Sequence, residues 1–163
     1  MRSWLTLTIR CAPLLLTAFA VTACNKPSGD SSNGGEDAQV KSLGTVEVTA
    51  RLVEVPDGAI IQRDLYDYVT ILKYEVVAVH RGAVEKGAIL YVGHYDPWKP
   101  RAEAADKRAK GIGGTLSQFK AGEFHRMALE TPMDDHFMGA MVDKYFGKRE
   151  GPTYWAVWTN LAN

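Results

Sequence analysis

Thr45-Val46-Glu47-Val48-Thr49-Ala50-Arg51-Leu52 alternates polar and apolar side chains without a break. Successive side chains of an extended chain point to opposite faces, so Val46, Val48, Ala50 and Leu52 share one side and Glu47, Thr49 and Arg51 the other. The stretch reads as a half-buried strand that ends near Pro56, Asp57 and Gly58. Outward along the chain, residues 66–80 are dense in Tyr, Val, Ile and Thr and read as a second, longer strand. In it Lys73 and Glu75 fall on the face of Val69, Ile71, Val77 and Val79, so no side stays apolar throughout, and strong coiling or a bulge is expected. Turns at Arg81-Gly82 and Glu85-Lys86-Gly87 lead into a third strand over residues 88–94.

Pro97 and Pro100 stop that strand, and residues 101–110, Arg-Ala-Glu-Ala-Ala-Asp-Lys-Arg-Ala-Lys, have the composition of a short helix. Gly111, Gly113 and Gly114 end it. A fourth strand over residues 123–130 sets His125, Met127 and Leu129 opposite Phe124, Arg126 and Ala128. Asp134 or Asp135 then caps a helix in which Phe137, Met141 and Tyr145 stand four apart, with Met138 and Val142 beside them and Gly147 at the end. Residues 153–159 form the last strand, with Tyr154, Ala156 and Trp158 on one face and Trp155 and Val157 on the other. The chain is thus mainly β, and five strands with a helix between the third and fourth have the order of a five-stranded OB-like Greek-key barrel with one or two helices. A β-sandwich is the alternative. The run Val79, Arg81, Gly82, Gly87, Ile89 and Val92 also resembles the netrin-like and tissue-inhibitor-like OB modules. The disulfides usual in those families are absent, so their inhibitory functions are not carried over.

Upstream of the first strand, residues 25–44 hold Pro27, Ser28, Gly29, Asp30, Ser31, Ser32, Asn33, Gly34, Gly35, Glu36 and Asp37, with only Ala38, Val40 and Leu43 apolar. They read as a flexible polar linker with a mean reach of about 25 Å. Before them Arg2 and Arg10 precede an uncharged, largely apolar run, residues 11–23, which closes on Val21-Thr22-Ala23-Cys24. This run is shorter than the roughly 18 to 20 residues of a permanent span, which fits a leader that is removed. The closing tetrapeptide resembles the lipobox of bacterial lipoproteins. That resemblance implies a signal peptide over residues 1–23 and cleavage before Cys24. It also implies acylation of that sulfur by a chain such as palmitate, and a tether to the bacterial cell envelope, periplasmic or surface-facing. Two or more acyl chains, each methylene contributing about 0.8 kcal/mol, anchor stably where one does not. In Gram-negative lipoproteins an Asp after the Cys retains the protein at the inner membrane, so Asn25 favours the outer one.

The domain organisation is therefore a leader, a lipidated Cys24 with its linker to residue 44, and one β-rich domain over residues 45–163. Without Arg2 and Arg10, 17 of the 19 basic residues remain against 19 acidic, a formal charge of −2 that offers no pull toward nucleic acid. Cys11 leaves with the leader and Cys24 carries lipid, so neither a disulfide nor a thiol nucleophile is expected. Gly111-Ile112-Gly113-Gly114 lacks the Gly-Lys-Ser/Thr ending of a phosphate loop.

The expected contacts lie where the third strand ends. His94, Tyr95, Asp96 and Trp98 combine an imidazole, a carboxylate and two large aromatics in a loop, and Asp96 would share a face with His94 and orient its ring. Trp155 completes the candidate ligand surface, since aromatics on both faces of the last strand need a cover: the Met-rich helix, a partner or a sugar ring. The leading function is a non-catalytic binding or assembly domain, with an envelope protein or glycan as partner and an accessory role in exopolysaccharide synthesis or modification as its most concrete form. No catalytic residue and no cofactor is assigned. The alternative is a metal-binding protein or enzyme built on His94, Asp96, His125 and His136, although no His-x-x-x-His spacing joins them.

Overall fold

The computed structural model describes residues 34–61 and 66–162, with backbone only for 34–37. The alternating stretch forms β1 (Val46–Glu54), whose side chains Val46, Val48, Ala50 and Leu52 are buried as expected. β2 (Val69–Arg81), β3 (Ile89–Tyr95), β4 (Phe124–Glu130) and β6 (Thr153–Leu161) follow, with a two-residue β5 (Met141–Val142) before the last. The neighbours run β1-β4-β6-β3-β2-β5, and β1 also pairs with β2, so five strands close on themselves and β5 is appended to β2. Within the barrel only β3 and β6 are parallel among the described pairings. This is a five-stranded OB-like Greek-key barrel. Closure sets the sandwich alternative aside, because two facing sheets would leave β1 and β2 unpaired.

The bulge expected in the second strand is present. The β1–β2 register shifts three times, and between Thr49↔Ala78 and Ala50↔Val76 it passes over Val77. The inward face therefore moves from Leu72, Tyr74 and Val76 to Val79, which leaves Lys73 and Glu75 on the outer side. The barrel core holds these residues with Leu52, Leu90, Val92, Met127 and Leu129. A second cluster covers the outer face of the β2–β3–β6 region: Val69, Ile71, Tyr95, Ala104, Ala109, Ile112, Met133 and Trp155.

Both expected helices are corrected. Residues 101–110 contain only one 3-10 turn, Arg101–Glu103, because the side chains of Arg101 and Asp106 bond the backbone instead of facing water. Asp106 Oδ1 accepts from the Arg108 and Ala109 amides at 2.7 and 3.0 Å, the local competition that disfavours a helix. After Pro132 there is again one 3-10 turn, Met133–Asp135. The apolar stripe does not face the core, since Met138 is 93% exposed and Met141 pairs with Val69 in the short strand β5. Phe137 and Tyr145 are drawn inward onto the outer cluster, Phe137 stacking on Trp155 with centroids 5.7 Å apart and planes at 7°.

The α-helix among the described residues is α1 (Gly34–Ser42), inside the stretch read as coil. Val40 is fully buried, and α1 lies against β4 and β6. Arg81 closes its C-terminal end by donating to the Lys41, Leu43 and Gly44 carbonyls. One apolar residue and one cation from a distant strand thus order a segment whose own composition does not.

Candidate ligand-binding site

Three barrel strands each turn a polar side chain inward: Tyr74 from β2, His94 from β3 and His125 from β4, all fully buried. Tyr74 Oη lies 3.1 Å from His94 Nε2 and 3.0 Å from His125 Nδ1. A phenol has one proton, so it donates to one imidazole and accepts from the other. Glu123 Oε2 stands 3.7 Å from His125 Nε2 and favours the proton there. His125 Nδ1 then accepts from Tyr74, the phenol oxygen accepts from His94 Nε2–H, and a lone pair is left on His94 Nδ1. That atom has no hydrogen-bond partner among the described residues. Burial, then the charge of Arg101 and then His125, hold His94 well below the usual imidazole range. Burial pushes His125 down to about 4, against the opposing pull of Glu123. Burial also raises Tyr74, so all three rings are neutral at pH 7.

Arg101 is buried beside them, its side chain held by loop carbonyls. Nη1 donates to Tyr95 O at 2.7 Å, and Nη2 to Asp96 O at 2.5 Å and Lys99 O at 3.0 Å. Its Nε has no partner among the described residues. Burial lowers Arg101 to about 10, so it stays charged at neutral pH. The Phe119 ring lies across the whole group: its centroid is 4.5 Å from that of His94, 5.7 Å from that of His125 and 5.3 Å from Arg101 Cζ. The same ring lines a cleft of about 320 Å³ with Val55, Ile60, Pro97, Trp98 and Gln118. Lys99 Nζ sits 4.6 Å from the Trp98 ring, and Trp98 itself is half-buried. No family model matches the chain, and neither does a curated protein or a solved structure.

The expected contacts are dispersed by this geometry. Trp98 lines the cleft, and His94 lies beneath its Phe119 wall. Asp96 does not orient His94, because β3 ends at Tyr95 and Asp96 turns away with φ 42°. Its carboxylate instead accepts from the Tyr68 amide at 3.1 Å and Lys99 Nζ at 2.5 Å. Burial raises the Asp96 carboxyl above its ordinary range, with those two partners opposing. Tyr95 is buried in the outer cluster and donates to Asp106 Oδ2 at 2.8 Å. Trp155, expected to meet ligand, is covered by Phe137.

The alternative metal set is not assembled either. His94 and His125 meet at Tyr74, Asp96 belongs to the Lys99 turn, and His136 lines a separate cleft of about 570 Å³ with Tyr66, Asp67 and Arg108. Among the described residues no group of three or more His, Cys, Asp or Glu is placed to hold a metal ion. Nor does any helix among them have the length and apolarity to cross a membrane. Cys24 and the residues around it lie outside the described residues. Tyr74, Arg101 and Phe119 were not among the sequence candidates. The available signal was three inward polar residues on three strands, Tyr74 beside Leu72 and Val76, His94 beside Val92, and His125 beside Met127.

Proposed function

We propose that this chain is a lipid-tethered, non-catalytic binding module of the bacterial cell envelope that holds a sugar ring of an envelope glycan in the Trp98–Phe119 cleft. The observation that carries the reading is the half-buried indole of Trp98 beside Phe119, Pro97 and the Gln118 amide in one concave site. Aromatic faces take the C–H faces of sugars, and a few polar groups fix the orientation. The lipobox-like Val21-Thr22-Ala23-Cys24 supports the tether. An accessory role in exopolysaccharide synthesis or modification joins the two features.

The test is binding of the full lipidated chain, in detergent micelles, to an array of bacterial envelope polysaccharides. Expected is a saturable interaction that Trp98→Ala weakens about tenfold or more, the worth of one buried aromatic contact. Binding unchanged in Trp98→Ala, or no binding by the parent, overturns the reading.

A further inference from the structure

Beneath the cleft, a buried hydrogen-bond donor and a buried acceptor are left over. Arg101 is 3% exposed and keeps Nε without a partner among the described residues, while His94 is fully buried and keeps Nδ1. A buried polar group without a partner is costly, so a donor and an acceptor left in one cluster ask for a use. Both side chains pack on the ring of Phe119, and that ring is also a wall of the cleft. Phe119 belongs to the segment between Leu116 and Glu123, which forms no strand, so rotation of its side chain breaks no ladder.

The chemistry of the two atoms selects the group they fit. With the His125 proton on Nε2, on the side of the Glu123 carboxylate 3.7 Å away, the chain leaves a lone pair on His94 Nδ1, while Arg101 Nε always presents N–H. A carboxylate would satisfy the arginine and meet the lone pair with repulsion; an ammonium would do the reverse. A hydroxyl donates once and accepts twice, and satisfies both. Trp98 Nε1, another donor without a partner among the described residues, belongs to a side chain that lines the same cleft.

We infer that Phe119 gates a hydroxyl-binding subsite made by His94 Nδ1 and Arg101 Nε, and that a sugar ring held at Trp98 seats one hydroxyl there when the Phe119 ring swings aside. This inference rests on the glycan reading above and names the group of the ligand that reaches the barrel interior.

The experiment uses the full chain in micelles with 15N-labelled histidine and tryptophan. It is titrated with a panel of methyl glycosides of hexoses, hexosamines and uronic acids, together with their monodeoxy analogues. Expected is a glycoside that moves the Trp98 indole resonance, moves the Phe119 ring protons, and shifts the unprotonated His94 Nδ1 upfield as it accepts a hydrogen bond. One monodeoxy analogue then loses about tenfold in affinity and leaves His94 unmoved, which tests the subsite without altering the protein. A glycoside that moves Trp98 but not His94, with all deoxy analogues binding alike, overturns the subsite and leaves the cleft standing. If no glycoside moves Trp98, the cleft reading falls and the subsite with it.

Discussion

Arg126 grips the buried carboxylate of Glu47 twice through one oxygen, with Nε at 3.0 Å and Nη2 at 2.6 Å from Oε1. The pair bridges neighbouring strands β1 and β4, and Arg81 approaches the other oxygen at 3.4 Å. Breaking a buried pair on one side costs about 3 to 5 kcal/mol when the remaining charge is left alone. Because Arg81 stays, Arg126→Met is expected to cost less, about 2 kcal/mol, in urea unfolding of the full chain. A loss below about 0.5 kcal/mol would show that the pair adds nothing beyond an exposed one.

The Tyr74 hydroxyl serves two imidazoles at once. Tyr74→Phe keeps the ring packing and strands both nitrogens, so a cost of about 1 to 3 kcal/mol for each is expected, softened by whatever water enters. Chemical denaturation measures it, and an unchanged midpoint would mean that the two contacts carry no net energy.

Stability should fall in mild acid. His125 titrates at about 4 in the folded chain, whereas an imidazole in the unfolded chain titrates near 6.5. Between these values the unfolded state binds the extra proton, so the stabilisation is complete above about 6.5 and is lost as pH falls toward 4. His94 is shifted in the same direction by burial first. His125 contributes a slope of up to about 1.4 kcal/mol per pH unit in that window, and His94 acts in the same sense. Urea midpoints from pH 7.5 to 4.5 should decline steeply in the parent and less in His125→Asn; parallel curves would contradict the assignment.

Two glycines of the run Gly111-Ile112-Gly113-Gly114 should answer very differently to alanine. At Gly114, with φ 136°, a Cβ would stand 1.9 Å from the Thr159 carbonyl oxygen, and backbone cannot give way as a side chain can. Gly111, at φ 77°, faces open space. Gly111→Ala is expected to cost about 1 to 2 kcal/mol of backbone strain. Gly114→Ala should cost more than 3 kcal/mol and lower the melting temperature by many degrees. Equal melting temperatures for the two variants would refute the contrast.

Cys24→Ala tests the tether separately from the domain. The variant should lose incorporation of labelled palmitate and leave the membrane fraction, while its unfolding midpoint stays that of the parent. Palmitate label retained in Cys24→Ala would place the acylation elsewhere.

The barrel was legible because its first strand alternates strictly and its second departs from alternation in a readable way: Val46, Val48, Ala50 and Leu52 announce one face, and the conflict between Lys73 and the valines around it announces a bulge. The helices were misread because composition records what a segment can do, not what its neighbours require. Arg101 had the composition of a helix residue, but its guanidinium binds the carbonyls of Tyr95 at the end of β3 and of Asp96 and Lys99 in the turn after it. Ala104 and Ala109, good helix formers, are small enough to pack under the sheet. Met138 and Met141 kept helical spacing without a surface to bury against. Of the site, His94 and Trp98 were found by chemistry, whereas Tyr74 was not singled out because its role depends on strand register, nor Phe119 because its role depends on how a segment without strand structure folds over the barrel.

The closed sheet also bears on how copies of the protein coexist. The five barrel strands have neighbours on both sides, and among the described strands the sheet ends at Met141–Val142, two residues long. An open strand edge is a template on which a second chain can add. Here a neighbour would find a foothold of two residues. Strand addition, the commonest way for β-rich chains to stick to one another, thus has almost no free backbone here to start from.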